Sequence, residues 1–337
     1  MKAVVYRREK GLVFEDVPTP EPSPNQALVR IRNVGVCGSD LFFYNKGMLN
    51  DGYIMGHECS GVIAETGSEL EGFKEGDRVI VRCAGCGKCP PCLRGEENLC
   101  PKRRCVGILE RPGAFAEYVV ADSDMLIPMP DGLTFEQAAL AEPLATALHG
   151  IRVSGFTPGS SALVVGAGPI GLCAIILLQN MNASPLMATE VSEERLALAK
   201  KLGAAPALSP NKDNIPRAVS DATGGLGPDF IYDCAGVAPA IEQSFRMVAK
   251  GGRVTTISVC SQPLTVLPLL FMQRQIHYIG SFTNTQAECR ECMRLMAKGE
   301  IDPLPLITDR ISLEQLPEKF AELNERKNMI KLMVRMD

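Results

Sequence analysis

The chain has 337 residues, with 35 Lys+Arg against 39 Asp+Glu, 46% apolar and 22% charged side chains. That length suggests two domains, because one hydrophobic core stops growing near roughly 250–300 residues, and the composition excludes intrinsic disorder. A formal charge of −4 argues against nucleic acid or an anionic membrane as partner and leaves a small molecule as the expected one.

Taken in chain order, Met1-Lys2-Ala3-Val4-Val5-Tyr6-Arg7-Arg8 has neither the apolar run nor the small-residue cleavage site of a signal peptide. A soluble, cytoplasmic protein is expected. Residues 1 to about 120 read as all-β. Short β-branched runs (Ala3–Tyr6, Ala27–Val34, Gly61–Glu65, Arg78–Val81, Ala116–Val120) alternate there with Pro/Gly/Asn turns such as Pro18-Thr19-Pro20-Glu21-Pro22. From about residue 134 the rhythm changes to a helix, Phe135 to Val153, and then the strand Ala162–Val165, a glycine turn and a helix to Asn180. A strand at Leu186–Glu190, a helix Glu193–Leu202, a strand Phe230–Cys234, a helix Pro239–Ala249 and a strand Arg253–Val259 follow. Strand–helix alternation of this kind implies a parallel sheet. The last 50 or so residues are mixed, with a helix at Gln286–Lys298 and a final strand at Ile330–Met336. No charge occurs between Arg152 and Glu190, a span long enough for a bilayer. The glycines and Pro169 at its centre favour a buried strand followed by a buried helix face instead.

Three constellations carry chemistry. Gly166-Ala167-Gly168-Pro169-Ile170-Gly171 is a G-x-G-x-x-G run between a strand and a helix, the context a dinucleotide site requires. Its glycines serve the tight turn, the backbone approach to a pyrophosphate and the packing of helix on strand. Glu190, ending the next strand, can accept from a ribose diol and repels a 2′-phosphate, which favours NAD over NADP; Arg195 is the one nearby group that could favour the phosphate. Cys86-x2-Cys89-x2-Cys92-x7-Cys100 places four of the thirteen cysteines within fifteen residues, with spacings suited to one tetrahedral ion. A closed all-thiolate site is structural, and zinc is preferred to an iron–sulfur cluster because the fourth cysteine follows after seven residues rather than three. Cys83 and Cys105 flank this lobe as bystanders. Finally, Cys37-Gly38-Ser39-Asp40 follows a strand and Gly56-His57-Glu58-x2-Gly61 precedes one, giving a Cys/His/Glu set for a zinc that keeps an open position. Ala141-Glu142-Pro143-Leu144 adds a carboxylate to an otherwise apolar helix.

In chain order, Cys37-Gly38-Ser39-Asp40, Gly56-His57-Glu58, the four-cysteine lobe, Glu142-Pro143 and Gly166–Gly171 resemble the zinc-dependent medium-chain dehydrogenases of the alcohol/polyol dehydrogenase family over essentially the whole chain. The resemblance implies a GroES-like β-barrel catalytic domain with an inserted Rossmann domain, a doubly wound parallel sheet. The implied boundaries are 1–148 for the catalytic domain with its zinc lobe at about 83–105, 149–284 for the NAD-binding domain, and 285–337 for a segment returning to the catalytic domain. It implies two zincs per chain: a catalytic one on Cys37, His57 and a glutamate, Glu58 or Glu142, and a structural one on Cys86, Cys89, Cys92 and Cys100. Gly166, Gly168, Pro169, Ile170, Gly171, Glu190 and Arg195 are the cofactor-binding positions. Glu142-Pro143 places the chain nearer the sorbitol, threonine and sugar-alcohol enzymes than the liver-type alcohol dehydrogenases, which carry a cysteine near that point.

Departures narrow the substrate. Leu41-Phe42-Phe43-Tyr44 replaces the His-Tyr that often follows Asp40 in polyol enzymes, and Thr283-Asn284 replaces the Arg-Tyr after Gly280-Ser281-Phe282 in sorbitol-type enzymes. The galactitol-phosphate and hexonate dehydrogenases are the nearer match. The implied reaction is reversible hydride transfer between NAD and a secondary alcohol, with Ser39 relaying the departing proton. Alternatives are a threonine or other diol dehydrogenase and, as a different class, a non-catalytic NAD-binding relative, which one zinc per chain rather than two would indicate. A homodimer or homotetramer is implied.

Overall fold

The computed structural model describes residues 1–323 and 329–336. These form two compact units, one of Met1–Glu142, Thr285–Gly299 and Pro303–Asp337, the other of Pro143–Asn284 and Glu300–Asp302.

The first unit opens with β1 (Lys2–Arg7), β2 (Gly11–Asp16), β3 (Gln26–Gly35), α1 (Gly38–Asn45), β4 (Glu58–Thr66) and β5 (Arg78–Val81). It continues through α2 (Pro90–Leu93), β6 (Tyr118–Asp122), β7 (Leu126–Pro128) and α3 (Phe135–Ala139) to the start of α4 (Ala141–Val153), where the chain changes unit between Glu142 and Pro143. The second unit carries β8 (Ala162–Val165), α5 (Pro169–Asn180), β9 (Leu186–Thr189), α6 (Glu193–Lys201), β10 (Ala207–Leu208) and α7 (Ile215–Ala222). It ends with β11 (Phe230–Asp233), α8 (Ala238–Met247), β12 (Arg253–Thr256), α9 (Pro268–Arg274) and β13 (His277–Gly280). The chain then returns to the first unit with α10 (Gln286–Ala297), β14 (Ile307–Ser312), α11 (Leu316–Leu323) and β15 (Lys331–Arg335).

β3 organises the first unit. Along one edge it pairs antiparallel with β4; along the other it carries β6 at Gln26–Arg30 and β15 at Asn33–Gly35. The sheet order is β14-β15-β3-β4-β5-β7, with β6 added on β3. Ala27, Val29, Ile31 and Val34 point into a core shared with Met55, Phe115, Leu126 and Phe320, all nearly solvent-free. Packing against β3 is close at one position. A Cβ on Gly61 would lie 2.3 Å from the Arg30 carbonyl oxygen and 2.9 Å from Val29 Cγ1.

The second unit is a six-stranded, wholly parallel sheet in the order β10-β9-β8-β11-β12-β13. Sequence order reverses between β8 and β11, which is the doubly wound arrangement with its switch point at the end of β8. β8, β9 and β11 are buried at every residue, as strands covered on both faces must be. The uncharged stretch after Arg152 resolves into β8 and α5, the latter with eight of its twelve residues buried. No helix among the described residues is long and apolar enough to cross a membrane.

Three local expectations are corrected. The helix expected from Phe135 to Val153 is broken at Leu140, because Pro143 has no N–H for the Ala139 carbonyl and its ring crowds that group; the chain restarts with Pro143 in the first turn of α4. The strand expected to reach Val259 ends at Thr256, where the Ile257 and Ser258 N–H groups both turn to the Asp233 carbonyl. Cys83 and Cys105 are not bystanders but form a disulfide, on loop segments bridged by reciprocal Ala84–Arg104 backbone hydrogen bonds.

Gly61→Ala should destabilise the first unit by roughly 1–3 kcal/mol, since backbone of β3 must yield to the added methyl. Urea unfolding followed by far-UV circular dichroism would show this as a lower midpoint with unchanged slope.

Candidate active site and metal centres

Cys37 is the N-cap of α1, immediately past the end of β3. Its N–H donates to Asp40 Oδ2 at 2.9 Å and its carbonyl accepts from the Asp40 N–H at 3.1 Å, so the short turn is closed from both sides. His57 and Glu58 lie at the start of β4, and register places Glu58 opposite Gly35. A Cβ at Gly35 would lie 2.3 Å from Glu58 Oε2, so the absence of a side chain there makes room for the carboxylate.

One ligand atom from each of Cys37, His57 and Glu58 lies within 4.8 Å of the other two. His57 is 8% exposed and Glu58 1%, whereas Cys37 is only half-buried, so the cluster opens on its cysteine side. Asp40, fully buried, faces His57 Nδ1 with its Oδ1 at 3.4 Å, and neither atom has another hydrogen-bond partner. Burial opposes charge on the imidazole, but Asp40 and Cys37 beside it prevail and hold His57 well above the usual histidine range. On the other edge of the ring, Ser39 Oγ lies 3.3 Å from Nε2. A thiolate, an imidazole backed by a buried carboxylate and a second carboxylate form a donor set suited to zinc, and three protein ligands leave one position for substrate. Glu142 is not part of this trio. It sits half-buried in the first turn of α4, where its charge is felt by Arg103 and Cys289.

Lys331, at the start of β15, completes the cluster's surroundings. Its Nζ donates to Glu58 Oε1 at 2.8 Å and Oε2 at 2.7 Å, and to the Val36 carbonyl at 3.1 Å. Asp40 was visible in sequence within the Cys37–Asp40 motif but had no assigned role there. Lys331 was not singled out, although a lone lysine inside Ile330–Val334 breaks an otherwise apolar strand.

The second metal centre is the lobe of Cys86, Cys89, Cys92 and Cys100, whose sulfur atoms also lie within 4.8 Å of one another. Cys89 Sγ is 3.4 Å from Cys92 Sγ and 3.7 Å from Cys100 Sγ. The Lys88 N–H, with that of Cys89, draws Cys86 down to about 6. At Cys89 the Cys92 N–H works against any rise, but desolvation and the neighbouring thiols Cys92, Cys86 and Cys100 push it up to about 12. Four thiolates this close can all ionise only around a cation, and a closed sulfur tetrahedron is the zinc arrangement.

In the second unit the glycine turn has the form its sequence implied. Gly166 adopts φ +91°, in the left-handed region, against the Ala235 backbone. A Cβ on Gly171 would lie 1.9 Å from the Gly166 carbonyl oxygen, so only glycine lets α5 pack this near β8. Gly168 is the N-cap of α5, followed by Pro169 and Ile170 in the first turn. No atom lies within 4 Å of its missing Cβ, so the space in front of the helix N-terminus stays open for a phosphate. Glu190 Oε2 accepts from the Ala167 N–H at 2.9 Å, and Oε1 from the Val191 and Ser192 N–H groups at 2.8 and 3.0 Å. Three of its roughly four acceptor positions are taken by backbone, leaving one for a ribose hydroxyl. Arg195 lies in the first turn of α6, capped by Ser192. Beside the turn, buried Asp233 accepts from the Ala235 and Gly236 N–H groups and from Ser258 Oγ. Burial pushes its carboxyl up from the usual range.

Residues 23–131 match the alcohol dehydrogenase GroES-like domain and residues 169–298 the zinc-binding dehydrogenase domain. Among curated relatives, the sorbitol dehydrogenase of Bacillus subtilis (strain 168) is 32% identical over 99% of this chain and 97% of its own. The (R,R)-butanediol dehydrogenase of Saccharomyces cerevisiae is 34% identical over 97% of this chain and 96% of its own. The solved galactitol-1-phosphate dehydrogenase of Escherichia coli superposes with a TM-score of 0.93 at 26% identity, covering 100% of both chains. Identity at this level over nearly full length, with both metal centres and the glycine turn in place, establishes that the chain belongs to the zinc-dependent medium-chain alcohol dehydrogenases, oxidoreductases that use zinc and NAD(P).

Proposed function

We propose that this chain is a cytoplasmic, NAD-linked dehydrogenase that reversibly oxidises a secondary alcohol of a polyol, sugar alcohol or sugar acid, free or phosphorylated, to a ketone. The observation that carries the reading is the trio Cys37, His57 and Glu58, with one ligand atom from each inside 4.8 Å and Cys37 only half-buried. In this reading those residues hold the catalytic zinc, and Cys86, Cys89, Cys92 and Cys100 hold a structural one. Glu142, outside the trio, enters as the second carboxylate through its Glu-Pro context. The catalytic domain comprises 1–148 with 285–337, and the nucleotide domain 149–284.

Zinc, if held by Cys37, His57 and Glu58, would supply Lewis acidity toward the substrate oxygen, and a nicotinamide cofactor, if held at Gly166, Gly168 and Glu190, would supply the hydride acceptor. The chain's own groups do the rest. Asp40 fixes the His57 ring from behind, and Ser39, next to Nε2, takes the hydroxyl proton and passes it on. Alcohol and NAD⁺ thus yield ketone, NADH and one proton. Gly168 and the α5 N-terminus receive the pyrophosphate, while Glu190 offers its remaining acceptor position to the ribose diol and repels a 2′-phosphate.

A diol or threonine dehydrogenase is the second reading, favoured by the 34% identity to a butanediol dehydrogenase. A panel of polyols, sugar phosphates, hexonates, 2,3-butanediol and L-threonine with NAD⁺ separates the two. Self-association as a homodimer or homotetramer belongs to the proposal. β13 is the outer strand of the parallel sheet, with Tyr278 on it and Phe282 and Met272 near it exposed.

NAD⁺ should exceed NADP⁺ in kcat/KM by at least about tenfold, or roughly 1.4 kcal/mol. Equal use of the two would remove Glu190 from its assigned role. Cys89→Ser should lower thermal stability and leave one zinc per chain, while surviving folded protein keeps its turnover. His57→Ala should instead lose the other zinc and the activity with the fold intact. Glu142→Gln, nearly isosteric, should lower kcat by roughly 10–100-fold. Zinc content, melting temperature and turnover of the three variants check these outcomes together.

A further inference from the structure

We propose that the Cys83–Cys105 disulfide is a redox-controlled clasp on the four-cysteine lobe: oxidised, it retains the lobe metal, and reduced by a dithiol, it lets that metal go more readily. The inference goes beyond the proposed reaction and rests only on the reading of Cys86, Cys89, Cys92 and Cys100 as a zinc site.

The disulfide joins residues 22 apart, and the segment it closes contains all four ligand cysteines. Its base is rooted in the first unit, where Ala84 and Val106 belong to the buried core. Ala84 and Arg104 exchange two backbone hydrogen bonds of 2.9 Å across the neck, and Arg104 Nη2 donates to the Gly85 carbonyl at 3.2 Å. Asp122 and Asp124 hold the Arg104 guanidinium in turn. Beyond the neck the lobe has little to order it. Its α2 has no buried residue, and the short turn Glu97–Leu99 buries only Asn98. With so little apolar burial, the shape of the lobe depends on the metal at its centre and on the closure of its ends. The neck hydrogen bonds survive reduction, so the effect of losing the disulfide falls on the lobe and not on the sheet beneath.

The redox step is a thiol–disulfide exchange. Cys83 is half-buried and Cys105 only 5% exposed, so a dithiol from solvent attacks the Cys83 sulfur and Cys105 leaves as a thiol. The second thiol of the reagent then frees Cys83. The Cys83–Cys105 bond is broken, two protein thiols gain two electrons and two protons, and the dithiol becomes a disulfide. In the cytoplasmic setting proposed above, disulfides are usually transient or redox-sensing. The direction of the coupling follows from chain entropy. Metal confines the lobe in either redox state, whereas the metal-free lobe is confined only while the disulfide closes it. The disulfide therefore favours metal binding, and by reciprocity bound metal protects the disulfide by the same factor. A disulfide that merely staples the fold shows neither effect.

The test uses the full-length protein loaded with zinc. Thiols counted after unfolding in chelator should rise from eleven in the oxidised protein to thirteen after reduction. Oxidised and reduced protein, freed of reductant without air, are then equilibrated with graded chelator, and the zinc that persists in His57→Ala identifies the lobe metal. Half of the lobe zinc should leave the reduced protein at about tenfold less chelator, the direction that the returned loop entropy requires. The ratio of reduced to oxidised dithiothreitol needed to open Cys83–Cys105 should be about tenfold higher with zinc bound than in stripped protein. Cys83→Ala/Cys105→Ala should behave as the reduced protein under either condition; if it fails to fold, the dithiothreitol titration of native protein still decides. Equal partition of lobe zinc in the two redox states, a dithiol ratio insensitive to zinc, or thirteen thiols in the oxidised protein overturns the proposal. Absence of zinc from the lobe of the native protein overturns the lobe assignment, whereas bound zinc with redox-independent partition overturns the clasp alone.

Discussion

The register at the end of β3 is the constraint on which the site depends. Gly35 pairs with Glu58 on one side and with Met333 on the other, so three segments far apart in sequence converge within one strand end. Cys37 follows two residues later, His57 precedes the paired glutamate, and Lys331 stands two residues before Met333. A side chain at position 35 would occupy the place of the Glu58 carboxylate, and a slip of one residue would turn Glu58 to the opposite face. The core beneath, from Val29 and Ile31 to Phe115, holds the register by burying Ala27, Val29, Ile31 and Val34 of β3.

Much of this was legible in the sequence because it rests on local spacing. Cys86 to Cys100 and Gly166 to Gly171 are short motifs whose spacing alone points to one lobe and one turn, and the structure brings the residues of each together. The parallel sheet was legible for a similar reason, since strands buried on both faces read as continuous apolar runs. What the sequence did not display was long-range. The Lys331–Glu58 pair joins positions 273 residues apart, and no periodicity links them. Gly35 and Asp40 acquire roles only once β3 and β4 are side by side. β13 and α7 escaped notice because β13 is an exposed edge strand and α7 buries only Ile215 and Val219.

The two units solve electrostatic problems in contrasting ways. The glycine turn satisfies a buried carboxylate with backbone N–H groups: Glu190 draws on Ala167, Val191 and Ser192, and Asp233 on Ala235 and Gly236. Such donors are fixed by the fold and carry no net charge, which suits a surface that must receive a dinucleotide. The first unit uses charged side chains instead, pairing Glu58 with Lys331 and setting Asp40 behind His57. Those groups add to or subtract from the field at a metal, so their identity bears on chemistry as well as on folding.

The return of the chain to its first unit sets the order in which the protein can mature. Domains emerging from a ribosome tend to fold in sequence, N-terminal first. Here residues 143–284 make up nearly the whole second unit and can consolidate during synthesis. The unit that begins with Met1 must wait, because β14 and β15 belong to its sheet and are made last. Until Lys331 is translated, Glu58 has no buried counter-charge and β3 lacks its partner at Asn33–Gly35. The first unit therefore keeps an open sheet edge at Asn33–Gly35 until its last strand is made.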